Sequence, residues 1–395
     1  MMALEGIRMI DFSDHASGPV CSMTLADQGA DVIKIEPIGG ENSRRWGHAR
    51  FGENDQFSSI YLALNRNKKS IAVNLKSPKG VELALKLIAS ADVVLENMKV
   101  GVMERLGLGY EACARVNPRI VYCSLTAFGA TGPLAKEPGF DLLMQAYAGP
   151  LSITGETGRP AVRIGISAID FLTGAHGAFG IVAALRERDR SGKGQKLDTS
   201  LYESAIHLMT HIMADYTGTG VMSKRSGPYF LFLAPYGMFM ARDREFYIGC
   251  STDAMWTRLC NELGWNELMV DPRFKTAGDR ARNQEQLYEV LVPIFKQRDA
   301  AEWIAIAARL SIPNSLINDL SEIVVQEQAL ARDAVIPIKG IENMRTSGIP
   351  IKLNRTPGQV RMAPPKVGEH TDETLASVGL DKAAIAALRE ERVVA

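Results

Sequence analysis

A single acid, Asp170, interrupts the apolar stretch from Ile164 to Leu185, and small residues surround it: Gly165, Ala168, Gly174, Ala175 and Gly177. A carboxylate among residues with so little bulk suits a close-fitting ligand or the approach of a second backbone. Beyond it, Ala175, Ala178, Phe179, Val182, Ala183 and Leu185 fall near a 3.6-residue period, which predicts a helix. Asp170 then stands where that helix begins, and the unpaired N–H groups and positive dipole end favour a carboxylate there. Two readings fit the position: a plain helix cap, or an acid facing a close-fitting ligand. A second acid, Asp141, follows Pro138-Gly139-Phe140 ahead of the apolar segment LLMQAYAG and also fits a cap.

The elements that must position these acids are legible in outline. Residues 7–36 read as strand, helix, strand: IRMIDF, then a helix from near Pro19 towards Gln28 with Gly29 as its stop, then DVIKIE. A second unit begins at Ser70, with the strand SIAVNL, a cap at Ser77-Pro78, the helix VELALKLIASA and the strand DVVLEN. RIVYCSL supplies another strand at 119–125. Strands alternating with helices predict an α/β fold, a Rossmann-like and mostly parallel sheet covered on both faces. Ligands of such sheets bind beyond the carboxyl ends of the strands. Those ends carry Asp14-His15-Ala16, Asn74-Leu75-Lys76 and Asn97-Met98-Lys99. No G-x-G-x-x-G follows the first strand and there is no Walker A sequence, so a dinucleotide or P-loop reading has little support.

From about Ser223 the pattern changes to short antiparallel strands turning at Ala241–Asp243, followed by the helices MWTRLCNELG, NQEQLYEVLVPIFKQ and AAEWIAIAARL. The expected organisation is a large α/β domain over 1–205, a linker over 206–224, a smaller α+β domain over 225–328, and a return to the large domain over 329–395. Glu203, His207 and His211 recur every four residues, as on one helical stripe. Without H-E-x-x-H or a further ligand cluster, no metal site is expected there.

The 395 residues hold 45 basic and 45 acidic side chains, a balance that gives nucleic-acid binding no support. No uninterrupted apolar run approaches the length of a membrane span, and the start MMALEGIRMIDF lacks the apolar core of a secretory signal. Neither a membrane nor a nucleic-acid partner is expected. Five cysteines, odd in number and without metal-like spacing, read as reduced thiols of a cytoplasmic protein.

D-x-x-T-G at Asp170, then G-x-x-A-A-L-x-x-R and S-G-K-G-Q-x-L-D-x-S-L-x-E, resembles the class III coenzyme A transferase family, which includes formyl-CoA and carnitine CoA-transferases. GADVIKIE, NRNKKSIAVNLKSPKG, ADVVLENMKVGVMERLGLGYE and FGATGP extend that likeness across the chain in the family's order. The resemblance implies that Asp170 is the nucleophile and that Asp141 assists acyl exchange. It implies that coenzyme A, as acyl-CoA, is lined by His15, Ala16, Val73, Asn74, Leu75, Lys76, Asn97, Met98, Lys99, Arg105, Gly139 and Phe140. It further implies an interlocked homodimer, an acyl-CoA donor and a short carboxylic acid acceptor.

The related α-methylacyl-CoA racemases have a histidine beside the acid at 141. Phe140 carries no proton, which leaves racemase or isomerase chemistry as the alternative rather than the first reading. The chain also departs from formyl-CoA transferase. Ala16, Pro37 and Pro138 stand where that enzyme has glutamine, arginine and lysine, and its Gly-rich loop in the small domain has no counterpart. A dicarboxylate pair, such as succinyl-CoA with another short diacid, is an equal expectation to formyl-CoA and oxalate.

Overall fold

A computed structural model describes all residues 1–395, which divide into two compact units. The first comprises 1–150, 164–213 and 326–395, the second 151–163 and 214–325.

The first unit is built on six parallel strands: β1 (Arg8–Asp11), β2 (Asp31–Glu36), β3 (Lys68–Ala72), β4 (Val93–Glu96), β5 (Val121–Thr126) and β6 (Lys196–Ser200). Their order is β3-β2-β1-β4-β5-β6, with Met9 opposite both Val32 and Val93. Strand order therefore reverses between β1 and β4, the switch point of a doubly wound sheet. The mixed α/β architecture with a large parallel sheet is as the sequence pattern predicts.

Near-continuous apolar strands let both faces bury. Ile10, Ile33, Val94 and Tyr122 point to one layer, with Leu83, Leu87 and Ile385. Their neighbours Met9, Val32, Val93 and Val121 point to the other, with Leu25, Ala178 and Ile181. The C-terminal residues close the first layer: Val393 accepts the Asn74 N–H at 2.8 Å, and Ser70 accepts the His370 N–H at 2.9 Å, both through backbone carbonyls.

Five helices of this unit matter for the site: α1 (Ser17–Asp27), α2 (Pro78–Ile88), α3 (Asp141–Tyr147), α4 (Ala168–Ser191) and α5 (Leu201–Leu208). Much of 206–224, expected as a linker, is helical, with α5 followed by a separate helix Thr210–Thr219. The break at Met209 separates His211 from the helix of Glu203 and His207.

The buried face of α4 differs from the expected stripe. Ile169, Thr173, Gly174, Gly177, Ala178, Ile181, Ala184 and Leu185 face inward, whereas Ala175, Phe179, Val182 and Ala183 are exposed in the single chain. The reason is helix–helix distance. A Cβ on Gly174 would lie 2.6 Å from the Ser17 carbonyl oxygen and 2.8 Å from Val20 Cβ, and one on Gly177 would lie 2.9 Å from Leu125. The glycines thus admit α1, a second backbone, at close range. At 24 residues α4 is also long and apolar enough, by length and composition, to cross a membrane, contrary to the expectation drawn from uninterrupted runs. Its inward face packs with Cys21, Leu25, Val121 and Cys123.

In the second unit, three strands pair antiparallel: β7 (Tyr236–Met240), β8 (Glu245–Gly249) and β9 (Asn314–Leu316) in the order β9-β8-β7. They cover an aromatic core that includes Phe239, Phe246, Trp256, Phe295 and Trp303. The sequence pattern anticipates the β7–β8 hairpin and the helices Asp253–Leu263, Gln284–Phe295 and Ala300–Arg309.

Gly174→Val should lower stability by about 1–3 kcal/mol, the usual penalty of overpacking. Gly165→Ala, where a Cβ meets nothing within 4 Å, should stay within about 0.5 kcal/mol. Thermal denaturation of the two variants measures both.

Candidate active site

Asp141 is the first residue of α3 and is 7% exposed. Its Oδ1 accepts from the Gln145 amide one turn on at 2.5 Å, while Oδ2 accepts the backbone N–H of Ile169 at 2.8 Å and of Asp170 at 3.2 Å. The Gln145 carbonyl oxygen in turn accepts the Ile164 N–H at 2.9 Å, holding the segment that leads into α4. Asp141 therefore caps a helix other than its own, using a charge-assisted pair of bonds on the positive end of α4.

This corrects the expected electrostatics of Asp170. It is the third residue of α4, but the neighbouring N–H groups serve Asp141, and its own carboxylate is left with burial, the like charge of Asp141 and the attraction of His15. Burial is the largest of these effects and, with Asp141 next, pushes the Asp170 carboxyl up to about 7; His15 opposes them. A half-buried carboxyl pushed up to about 7 beside a second acid makes Asp170 a functional-site candidate. The N–H groups of Ile169 and Asp170, engaged by Asp141, are also not free to serve as an oxyanion hole.

His15 lies on the loop after β1, at the switch point of the sheet. Its backbone is left-handed, φ 65°, a conformation uncommon outside glycine but several-fold enriched for histidine. The imidazole Nδ1 is bonded to the Asp14 carboxylate, and its ring lies 4.6 Å from that of Trp46 and 5.9 Å from that of Phe140. The Asp14 bond leads in raising the His15 pKa above its usual value, against burial, with Glu41 and Asp170 adding to the rise.

The loop is anchored from below and beside. Asn97 accepts the Asp14 N–H at 3.0 Å and returns a bond to the Asp14 carbonyl at 2.9 Å, joining the ends of β1 and β4. Asp11 accepts from Ser13 N–H at 2.8 Å and from Ser22 Oγ at 2.6 Å. Lys34, fully buried, donates to the Ser13 carbonyl at 2.5 Å and pairs with Glu41 at 3.1 Å. Buried Lys68 lies 3.7 Å from Asp11 and donates to Asn65 at 2.8 Å; burial pushes its ammonium down to about 8. Arg44 grips Glu36 through two 2.7 Å bonds. Sequence reasoning passed over this lattice. Its signal was a lysine in the middle of the otherwise apolar strand DVIKIE, a charge that can be buried there only if paired.

The other predicted residues are spread along the carboxyl ends of the strands. Ala16 precedes α1 and packs by Val20, Met23 and Leu64. Val73 and Asn74 follow β3; the Val73 side chain is buried in the core, so only its backbone can face a ligand. Leu75 and Met98 pack partly against the same core. Asn97 holds the Asp14 backbone, while Lys76, Lys99 and Arg105 are exposed. Gly139 has no room for a side chain, a Cβ there falling 2.5 Å from Met144 Cε, and Phe140 is 63% exposed. Glu203 and His207 share α5 while His211 lies on the following helix; His207 packs on His176 at 5.4 Å between ring centres, and His176 contacts Ser204 at 3.0 Å.

Residues 4–371 match the family described as CoA-transferase family III. The chain belongs to that family. It is 39% identical to an acyl-CoA transferase of Fusarium pseudograminearum over 99% of this chain and 88% of that one. It is 32% identical to the human succinyl-CoA:glutarate CoA-transferase, over 95% of this chain and 86% of the relative. A crystal structure of a CAIB/BAIF family protein from Brucella suis superposes with a TM-score of 0.86 at 32% identity, covering 95% of this chain and 99% of that one. The chain is thus a CoA-transferase, an enzyme whose substrates are coenzyme A thioesters.

A carboxyl raised from about 4 to about 7 on folding costs stability once ionised. The unfolded chain releases this proton first, so stability falls as pH rises from about 4 to about 7 and is then flat. Asp170→Asn removes that loss. The variant should match the parent near pH 4 and exceed it by about 1–4 kcal/mol above pH 7, measured by denaturant melts across pH.

Proposed function

We propose that the enzyme moves coenzyme A between short dicarboxylic acids, with Asp170 as the nucleophile. The observation that carries this is the Asp170 carboxyl itself, half-buried, pushed up to about 7 and set beside Asp141 at the start of α4 in a chain of the CoA-transferase family. An Asp170 oxygen attacks the thioester carbonyl, the C–S bond breaks, and a mixed anhydride and coenzyme A thiolate result. The thiolate attacks the aspartyl carbonyl of the anhydride, releasing the donor acid and leaving an aspartyl-CoA thioester. The acceptor carboxylate repeats the sequence in reverse, and no net proton is consumed. Each step exchanges one activated acyl group for another, which divides a difficult transfer into easier ones.

Asp141 orients Asp170 by fixing the backbone at the start of α4 and raises its basicity through like charge. Lys76, Lys99 and Arg105, exposed beyond the strand ends, supply cations for the coenzyme A phosphates, and Asn74, Asn97, His15 and the backbone around Val73 and Gly139 line the rest. The dicarboxylate preference is supported by the named substrates of the human relative, succinyl-CoA and glutarate. Racemase or isomerase chemistry of the same fold is the alternative, and Phe140 stands against it because no proton carrier occupies that position.

The five cysteines are unpaired and buried, which supports a reducing compartment, the cytoplasm. The exposed apolar row of Phe140 and Leu142 at α3 and Phe171, Phe179 and Val182 on α4, with Phe179 77% exposed, supports a homodimer that covers it.

Asp170→Asn should lower succinyl-CoA:glutarate transfer by at least about 10⁴-fold while changing coenzyme A affinity by less than about tenfold, or 1.4 kcal/mol. Near-normal turnover of that variant would remove Asp170 as nucleophile, and α-deuterium exchange without an acceptor acid would favour the racemase alternative. Light scattering should give twice the chain mass; a monomer would contradict the dimer.

A further inference from the structure

The N–H groups at the start of α4 are engaged by Asp141, so the dipole end of that helix is already answered by another acid. The one positive group acting on Asp170 is His15. Its ring lies 5.9 Å from that of Phe140, the residue before Asp141, and Asp141 accepts the Asp170 N–H at 3.2 Å, which places the imidazole on the same side of the site as the two acids. The His15 loop is over-determined: the Lys34 bond to Ser13, the paired Asn97 bonds to Asp14 and the Trp46 ring together keep a non-glycine residue at φ 65°. A strained backbone maintained by that many partners marks a side chain whose direction matters. The charged groups that bear on His15 are Asp14 on its own loop, Glu41 on the segment after β2, and Asp170 on α4; Trp46 and Phe140 bring no charge.

We propose that His15, held as an imidazolium by Asp14, is the counter-charge that keeps Asp170 ionised for attack and opposes the negative charge of Asp141 beside it. This rests on Asp170 being the nucleophile. The resemblance assigned His15 to coenzyme A binding alone; its place gives it a role in the chemistry. Asp170 forms its bond to the thioester carbonyl, the electron pair of the C–S bond leaves with the thiolate, and His15 keeps its proton throughout. Its contribution is electrostatic, and it is largest where Asp170 is only partly ionised, at and below neutral pH.

The test is the rate of covalent labelling by succinyl-CoA, read by peptide mass spectrometry from pH 5.5 to 9. His15→Asn is the chosen variant because asparagine tolerates the left-handed backbone. Its acid limb should move up by about one pH unit, so that labelling is about tenfold slower at pH 6 and within about threefold of the parent at pH 8.5. Asp14→Asn, which leaves the backbone bonds to Asn97 in place, should shift the limb in the same direction by less, and His15→Lys, which keeps a cation, should restore it. An equal loss at every pH with an unmoved limb would reduce His15 to a structural residue and overturn the proposal. A label on any residue other than Asp170 in the parent enzyme is a different result, which would overturn the nucleophile reading and this inference with it.

Discussion

The bond from one carboxylate to two peptide N–H groups organises the site. Asp141, from α3, takes the N–H groups of Ile169 and Asp170 at the start of α4. Helix N-termini attract anions because their first N–H groups have no partner within the helix. Here that attraction joins two elements and does not stabilise the acid at the helix start. The acid at the start, Asp170, is thereby denied hydrogen bonds and set against a like charge, and it titrates near neutrality. Burial and the neighbouring acid, rather than a hydrogen-bonding cap, set its protonation.

The strand ends meet the matching requirement from the opposite side. A loop carrying an exposed imidazole would be mobile, and mobility would blur the distance on which an electrostatic effect depends. Beneath the loop after β1 lies a set of buried charges, Asp11, Lys34, Glu36, Glu41, Arg44 and Lys68, nearly all paired at short range. Buried ion pairs add little net stability because desolvation offsets their attraction. Breaking one leaves an uncompensated charge, which is costly, so the lattice tolerates few geometries. Its value lies in specifying where Ser13, Asp14 and His15 sit.

Close helix packing completes the frame. Gly174 and Gly177 allow α1 to approach α4, fixing α4 against β5 through Leu125 and against the first turn of α1. The apolar residues that a periodicity count places in the core, Phe179 and Val182, end on the outside. In a helix rich in both small and large apolar residues, the inward face goes to the small ones when the neighbour is a backbone, because dispersion gains depend on distance more than on side-chain size.

Much was determined by the sequence alone. The βα alternation, the strands from IRMIDF to RIVYCSL, the β7–β8 hairpin and the helices after it are local patterns of period 2 and 3.6, which a linear reading can detect. The family motifs around Asp170 and at the strand ends were likewise legible, because each is contiguous. What the tertiary structure decided are relations between distant residues: which acid occupies the N–H groups of α4, which residues hold the His15 loop, how Lys34 and Lys68 are neutralised, and which face of α4 is inward. Asp141 and Asp170 are twenty-nine positions apart and both look like caps. Their division into a capping acid and a perturbed one depends on distances of about 3 Å across the fold, and periodicity along a chain carries no information about those.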